Sequence, residues 1–144
     1  MDLANYKMEW PRERLTVRCF AHDIMNYRYH WHPDEYDLNI LLHGSQEYCR
    51  GTQNVVLEED DVLLTPPGVG HASFGQQANT TAIVLHFSAT AIRPLLKKGG
   101  VYHFPSCLSN AGTHTEERYR HIRFYASQIF MPMQQNSPYA QLAV

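Results

Sequence analysis

The sequence predicts an all-β antiparallel jelly-roll barrel followed by α-helices. Three observations predict it. Short runs rich in β-branched and aromatic residues recur at close intervals from Leu15 to Phe87. Turn-forming clusters separate them at Gly51–Asn54, Glu58–Asp61, Pro66–Gly70 and Gly75–Asn79. Beyond residue 105 the texture changes, and apolar residues recur at three- and four-residue steps instead. Many short strands joined by tight turns, with no helices between them, close into a sandwich or barrel rather than a parallel sheet.

Residues 1–13 have no period and contain Pro11, so they are expected to form a lead-in lying across the barrel mouth. Residues 14–105 are expected to be the barrel. Leu15–Phe20 alternates apolar and polar residues, as a half-buried strand does, and Tyr27–His32 is the next strand, broken by Pro33-Asp34. Asp37–His43 is the third and turns at Gly44-Ser45. Glu47–Arg50, Asn54–Leu57, Asp61–Thr65, His71–Phe74 and Thr81–Phe87 follow. Ala89–Leu96 suits a short helix, and Val101–Phe104 a returning strand.

Residues 106–144 are expected to be helical. Thr115 followed by Glu116 and Glu117 has the character of a helix start, and the pattern predicts an amphipathic helix over 115–131 that ends at Pro132. Its apolar stripe is Tyr119, Ile122, Ala126, Ile129 and Phe130, widened by Phe124 and Tyr125. Such a stripe can pack on its own barrel, on a second copy, or on both. Ser137-Pro138 reads as the cap and first turn of another helix, at which the chain stops, so a fragment of a longer protein is expected.

The residues with chemistry lie between His30 and His71. His30 and His32 are two apart on a strand and face the same way. Asp37 opens the next strand, and His71 follows a Pro-Gly turn that returns the chain beside it. Three imidazoles and a carboxylate suit a divalent zinc, nickel, iron or manganese ion with positions left open. The same four side chains serve equally as a metal-free polar pocket for a small molecule. Asn39 shares the Asp37 face, and His86, between Leu85 and Phe87, is a further pocket candidate, although most such histidines are simply satisfied in a core or on a surface. Tyr29, Trp31, Tyr36 and Tyr48 offer ring faces for an effector.

These residues carry a resemblance. His30-Trp-His32, four residues, Asp37, six residues and Gly44 resembles the first cupin motif, and Pro66-Pro-Gly68 with His71 resembles the second. Asp37 stands where that family carries Glu, Asp60 where it carries Gly, and Gly75 where it carries Asn. Among cupins, Tyr36–Gly44, Glu59–Gly68 and Leu85–Phe87 look most like the N-terminal effector-binding domain of AraC-type transcription regulators. The resemblance spans residues 12–105. It implies a sensor of a small effector, a sugar being the best-known theme, and a homodimer formed through the helices after the barrel. It also implies helix-turn-helix units beyond residue 144 that touch the DNA. The alternative is a stand-alone metal-dependent cupin enzyme, an oxygenase or isomerase.

Composition narrows the classes. The 144 residues are 44% hydrophobic and 18% charged with a net charge of -2, which describes a globular domain without a basic face for nucleic acid. No apolar run reaches membrane-spanning length, and the N-terminus lacks the pattern of a signal peptide, so a cytoplasmic protein without a membrane partner is expected. Cys19, Cys49 and Cys107 are far apart and odd in number, which argues for reduced, buried thiols.

Overall fold

Period-two patterning produces nine strands among the described residues, which in the computed structural model are 8–12, 15–23, 26–92, 112–113 and 115–135. They are β1 (Met8–Arg12), β2 (Leu15–Asp23), β3 (Asn26–His30), β4 (Glu35–His43), β5 (Gln46–Arg50), β6 (Gln53–Leu57), β7 (Val62–Thr65), β8 (His71–Gly75) and β9 (Thr81–Ser88). A five-stranded sheet has the order β1-β2-β9-β4-β7 and a four-stranded sheet the order β3-β8-β5-β6. The strand pairings among the described residues are all antiparallel. The two sheets form the jelly-roll barrel that the strand spacing predicts.

The inner face of β4 shows why the interior has a polar and an apolar end. Asp37, Asn39 and Leu41 alternate on one side and are all buried. Leu41 joins Tyr48, Leu57, Leu63 and Ala82 in a cluster that Val55 and Val84 complete. Asn39 donates to the Gln46 side chain at 2.8 Å between that cluster and the carboxylate of Asp37. Ile40 and Leu38 face outward, where Val62, Ile83 and Leu85 form a second apolar cluster. At the end of β4, Gly44 adopts φ +86°, and a Cβ there would stand 2.7 Å from Thr80 Oγ1 and 3.0 Å from Thr80 Cα. Only glycine suits that turn.

Helix α1 (Ala89–Ile92) follows β9, and α2 (Glu117–Gln135) covers the outer cluster. Tyr119, Ile122 and Ala126 pack on Ile40, Val62, Ile83 and Leu85, and Tyr119 and Ala126 are almost fully buried. Arg123 adds a tether, donating from Nη1 to the Asp60 carbonyl at 3.1 Å. Asp60 sits at φ 71° in the turn between β6 and β7, a conformation that short polar residues tolerate. Its N–H in turn donates to Leu41 O at 2.9 Å.

Three expectations are corrected. The lead-in is not wholly irregular: Met8–Arg12 is an outer strand paired with β2, and Pro11 is tolerated because β1 lies at a sheet edge, where a missing donor breaks no ladder. The long helix does not end at Pro132 but runs to Gln135. A proline so near the last turn deletes one bond, to the Gln128 carbonyl, and leaves the preceding turns intact. Of the residues expected to face a second copy, Tyr119, Ile122 and Ala126 are covered by the chain's own sheet, because the outer face of β4 and β9 is itself apolar. Ile129 is exposed, with Phe124 and Tyr125. The Phe130 side chain, Arg93–Leu96, Val101–Phe104 and the second helix start at Ser137 lie outside the described residues. Among the described residues no helix is long and apolar enough to cross a membrane.

Candidate functional site

The polar end of the barrel is assembled by strand register. A register shift between Tyr27 and His30 brings His30 opposite His71, and their ring centroids are 4.3 Å apart. In the facing sheet Asp37 on β4 is the direct partner of His86 on β9, so both side chains enter the interior from the same face. Asp37 Oδ2 lies 3.1 Å from His86 Nε2 and 3.3 Å from His71 Nε2. His32, just past β3, closes the group, its ring 5.1 Å from His30, 5.4 Å from His71 and 4.4 Å from His86.

Backbone carbonyls orient two of these rings. The Arg28 carbonyl lies 2.6 Å from His30 Nδ1 and the Val69 carbonyl 3.1 Å from His71 Nδ1. A carbonyl accepts only, so both Nδ1 atoms carry hydrogen and both rings turn Nε2 inward, that of His71 toward Asp37 Oδ2. His32 Nε2, Asp37 Oδ1 and Asn39 Oδ1 are buried with no hydrogen-bond partner among the described residues. A polar network that served packing alone would not leave these atoms open. The possible metal donors sort into two trios that share a residue: His30, His32 and His71, and His32, Asp37 and His86, each with its ligand atoms within 4.8 Å of one another. This chemistry fits a divalent first-row ion.

Five of the six pocket residues expected from the sequence, His30, His32, Asp37, His71 and His86, thus come together. Asn39 lies one inward step deeper along β4, bonded to Gln46. Two neighbours belong with them. Glu35 Oε2 is 3.8 Å from His32 Nδ1 and 3.7 Å from His86 Nδ1, and Tyr48 stacks on the His71 ring at 5.8 Å. Glu35 alternates with Asp37 on β4, and Pro33, two residues before it, obscures in the sequence where that strand begins. Tyr36 lies instead on the outer face, stacked on Phe87, and His43 pairs with Glu59 at the rim. Tyr29 and Trp31 are largely exposed.

Residues 15–144 match the AraC-like ligand binding domain family. The chain belongs to that family. It is the effector-sensing domain of an AraC-type transcription regulator, built on a jelly-roll barrel. Among solved structures it is similar to KdgF from Halomonas sp., at 15% identity and TM-score 0.48 over 57% of this chain and 76% of the other. A cupin-2 domain protein from Shewanella frigidimarina gives 13% identity and TM-score 0.45 over 61% and 83%, and TT1209 from Thermus thermophilus gives 18% and 0.47 over 60% and 90%. No curated protein matches at a significant level.

Charge in the interior of this AraC-like domain is tightly arranged. Burial works to raise the Asp37 pKa, but hydrogen bonds from His71 and His86 outweigh it and hold the carboxyl well below its usual range. Burial works to lower the His71 pKa, and the Asp37 carboxylate reverses this and raises it. His32 is lowered to about 4, first by burial and then by repulsion from His86. A histidine depressed in the folded state binds its proton more readily when unfolded, so stability is lost as pH falls from the unfolded value of 6.5 toward 4. The other two act elsewhere. The contribution of His71 is complete below pH 6.5 and is lost as pH rises through its raised value, while that of Asp37 is lost only as pH falls below its ordinary value of 3.8. Urea midpoints of the metal-free domain are therefore expected to decline between pH 6.5 and 4, with a shallower decline in His32→Gln. An equal slope in the two proteins would contradict the assignment.

Proposed function

We propose that the effector site of this regulator domain is the histidine cluster inside the barrel, and that a divalent cation on His30, His32 and His71, with Asp37 beside it, completes the site. The observation that carries this reading is the set of buried, open polar atoms, His32 Nε2, Asp37 Oδ1 and Asn39 Oδ1, at the end of an otherwise apolar interior. When bound, such an ion supplies open coordination positions for a polar effector group. His30 and His71 are held ready by the carbonyls of Arg28 and Val69. His32 stays neutral down to about pH 4, so at neutral pH a cation has no proton to displace there. Tyr48 walls the His71 side.

The domain senses rather than catalyses in this reading. Asp37, the carboxylate with the best access to the interior, is committed to His71 and His86 and is a poor proton acceptor at neutral pH. DNA contact belongs to other parts of the regulator, since this chain has a net charge of -2. Calorimetric titration of the metal-free domain with nickel(II) tests the site. Sharing roughly 10 kcal/mol of metal binding among the protein donors assigns about 3 kcal/mol to an imidazole, so His71→Ala is expected to bind on the order of a hundredfold more weakly. Equal affinity would remove the cluster from the function.

A homodimer forms through the outward side of α2 in the same reading. Phe124, Tyr125 and Ile129 are 58%, 63% and 43% exposed there, on a helix whose other side is already covered. Sedimentation at micromolar concentration is expected to give a dimer for the parent and a monomer for Tyr125→Glu. A monomeric parent would contradict it.

A further inference from the structure

We propose that Glu35 is the positioning residue for the third imidazole of the cation site: its carboxylate takes the Nδ1 hydrogen of His32 and so turns Nε2 of that ring to the ion. The inference rests on the metal reading above, in which His30, His32 and His71 hold the cation, and adds a residue outside both sequence motifs. It begins from an asymmetry within that trio. His30 Nδ1 lies 2.6 Å from the Arg28 carbonyl and His71 Nδ1 3.1 Å from the Val69 carbonyl, so the backbone orients two of the three rings. Nδ1 of His32 faces a side chain instead, with Glu35 Oε2 at 3.8 Å.

The chain around this pair is braced. The Gly68 N–H donates to the His32 carbonyl at 2.8 Å, which fixes the backbone of His32 and leaves its ring to turn. Two residues on, the Asp34 carbonyl accepts from the Ala89 N–H at 2.8 Å, and its carboxylate accepts from the Ser88 and Thr90 hydroxyls, each at 3.1 Å. Glu35 is the register partner of Ser88, so it opens β4 at a fixed place. The His32 and Glu35 side chains are 19% and 14% exposed, and water screens their attraction little.

Glu35 belongs to neither donor trio, so it acts behind a ligand rather than on the ion. Its Oε2 stands almost midway between two Nδ1 atoms, 3.8 Å from that of His32 and 3.7 Å from that of His86. A cation on His32 Nε2 tips the choice, because it draws electron density from the ring and makes Nδ1–H the stronger donor. A charge-assisted hydrogen bond of about 2.8 Å then needs a closure of about 1 Å, which the soft terminal torsion of a glutamate supplies. Carboxylate partners of this kind fix the ligand's tautomer, and their loss weakens metal affinity roughly 10–100-fold.

Zinc(II), which is diamagnetic, is the probe, added to the metal-free parent, Glu35→Ala and Glu35→Gln. Calorimetry reads affinity, and nitrogen-15 magnetic resonance reads which imidazole nitrogen carries hydrogen. In the parent, His32 is expected to carry zinc on Nε2 and hydrogen on Nδ1, with that hydrogen sheltered from exchange with water. Glu35→Ala is expected to bind zinc on the order of tenfold more weakly and to lose the shelter at His32 while His30 and His71 keep theirs. Glu35→Gln, which keeps an acceptor oxygen, should recover part of the affinity and the shelter. The spectrum of the parent decides the tautomer even if a variant fails to fold. Zinc on Nδ1 of His32 in the parent, or unchanged affinity and exchange in Glu35→Ala, would overturn the role of Glu35 and leave the cation site standing. A parent that takes up no zinc would overturn the metal reading and this inference with it.

Discussion

Leu41→Ala is expected to cost about 2–5 kcal/mol, while Leu42→Ala stays within about 0.5 kcal/mol. The two leucines are neighbours in sequence and opposites in environment. Leu41 is 0% exposed among Tyr48, Leu57, Leu63 and Ala82, where the barrel cannot collapse around a lost side chain because both sheets are braced by their ladders. Leu42 is 45% exposed on the other side of the strand. Its truncation removes little buried area and opens no cavity. Urea unfolding of the two variants beside the parent measures the difference. Similar losses would mean that the register of β4, and with it the inward placement of Asp37 and Asn39, is wrong.

The second large effect lies on the outer face. Tyr119 is 3% exposed against Ile40, Val62, Ile83 and Leu85, and the Arg118 guanidinium stands 4.7 Å over its ring. Tyr119→Ala is expected to cost about 3 kcal/mol and to loosen the first turns of α2, since Ile122 and Ala126 share the same cluster. Metal uptake should survive, because the histidines occupy the inner face of the barrel and the helix the outer one. Unfolding curves and nickel titration on the same variant check both halves. Loss of nickel binding in a folded Tyr119→Ala protein would show that the two faces are coupled through β4 more strongly than their separation suggests.

Much of this architecture was legible in the sequence, for reasons that particular residues make plain. Strands announce themselves by alternation, and turns by residues such as Gly44 that tolerate few replacements. The His30, His32, Asp37 and His71 set was legible because it is encoded locally, in two short motifs. His86 was harder. Its partnership with Asp37 comes from the pairing of strands 49 residues apart, and no local pattern separates it from an ordinary core histidine. The face of α2 was misread in part for a similar reason. Its periodicity shows that Tyr119, Ile122 and Ala126 lie together, but only the apolar outer side of β4 and β9 reveals what covers them. Pro11 and Pro132 misled in the same way, since proline breaks central strands and helix interiors but is tolerated at a sheet edge and near a helix end.

The most direct test of a cation-bearing effector site is the metal content of the domain purified without added metal or chelator, measured beside a variant carrying both His30→Ala and His32→Ala. A stoichiometric first-row ion is expected in the parent and none in the variant, with both folded. A folded parent devoid of metal, or equal metal in the two proteins, would rule out a cation held by these histidines.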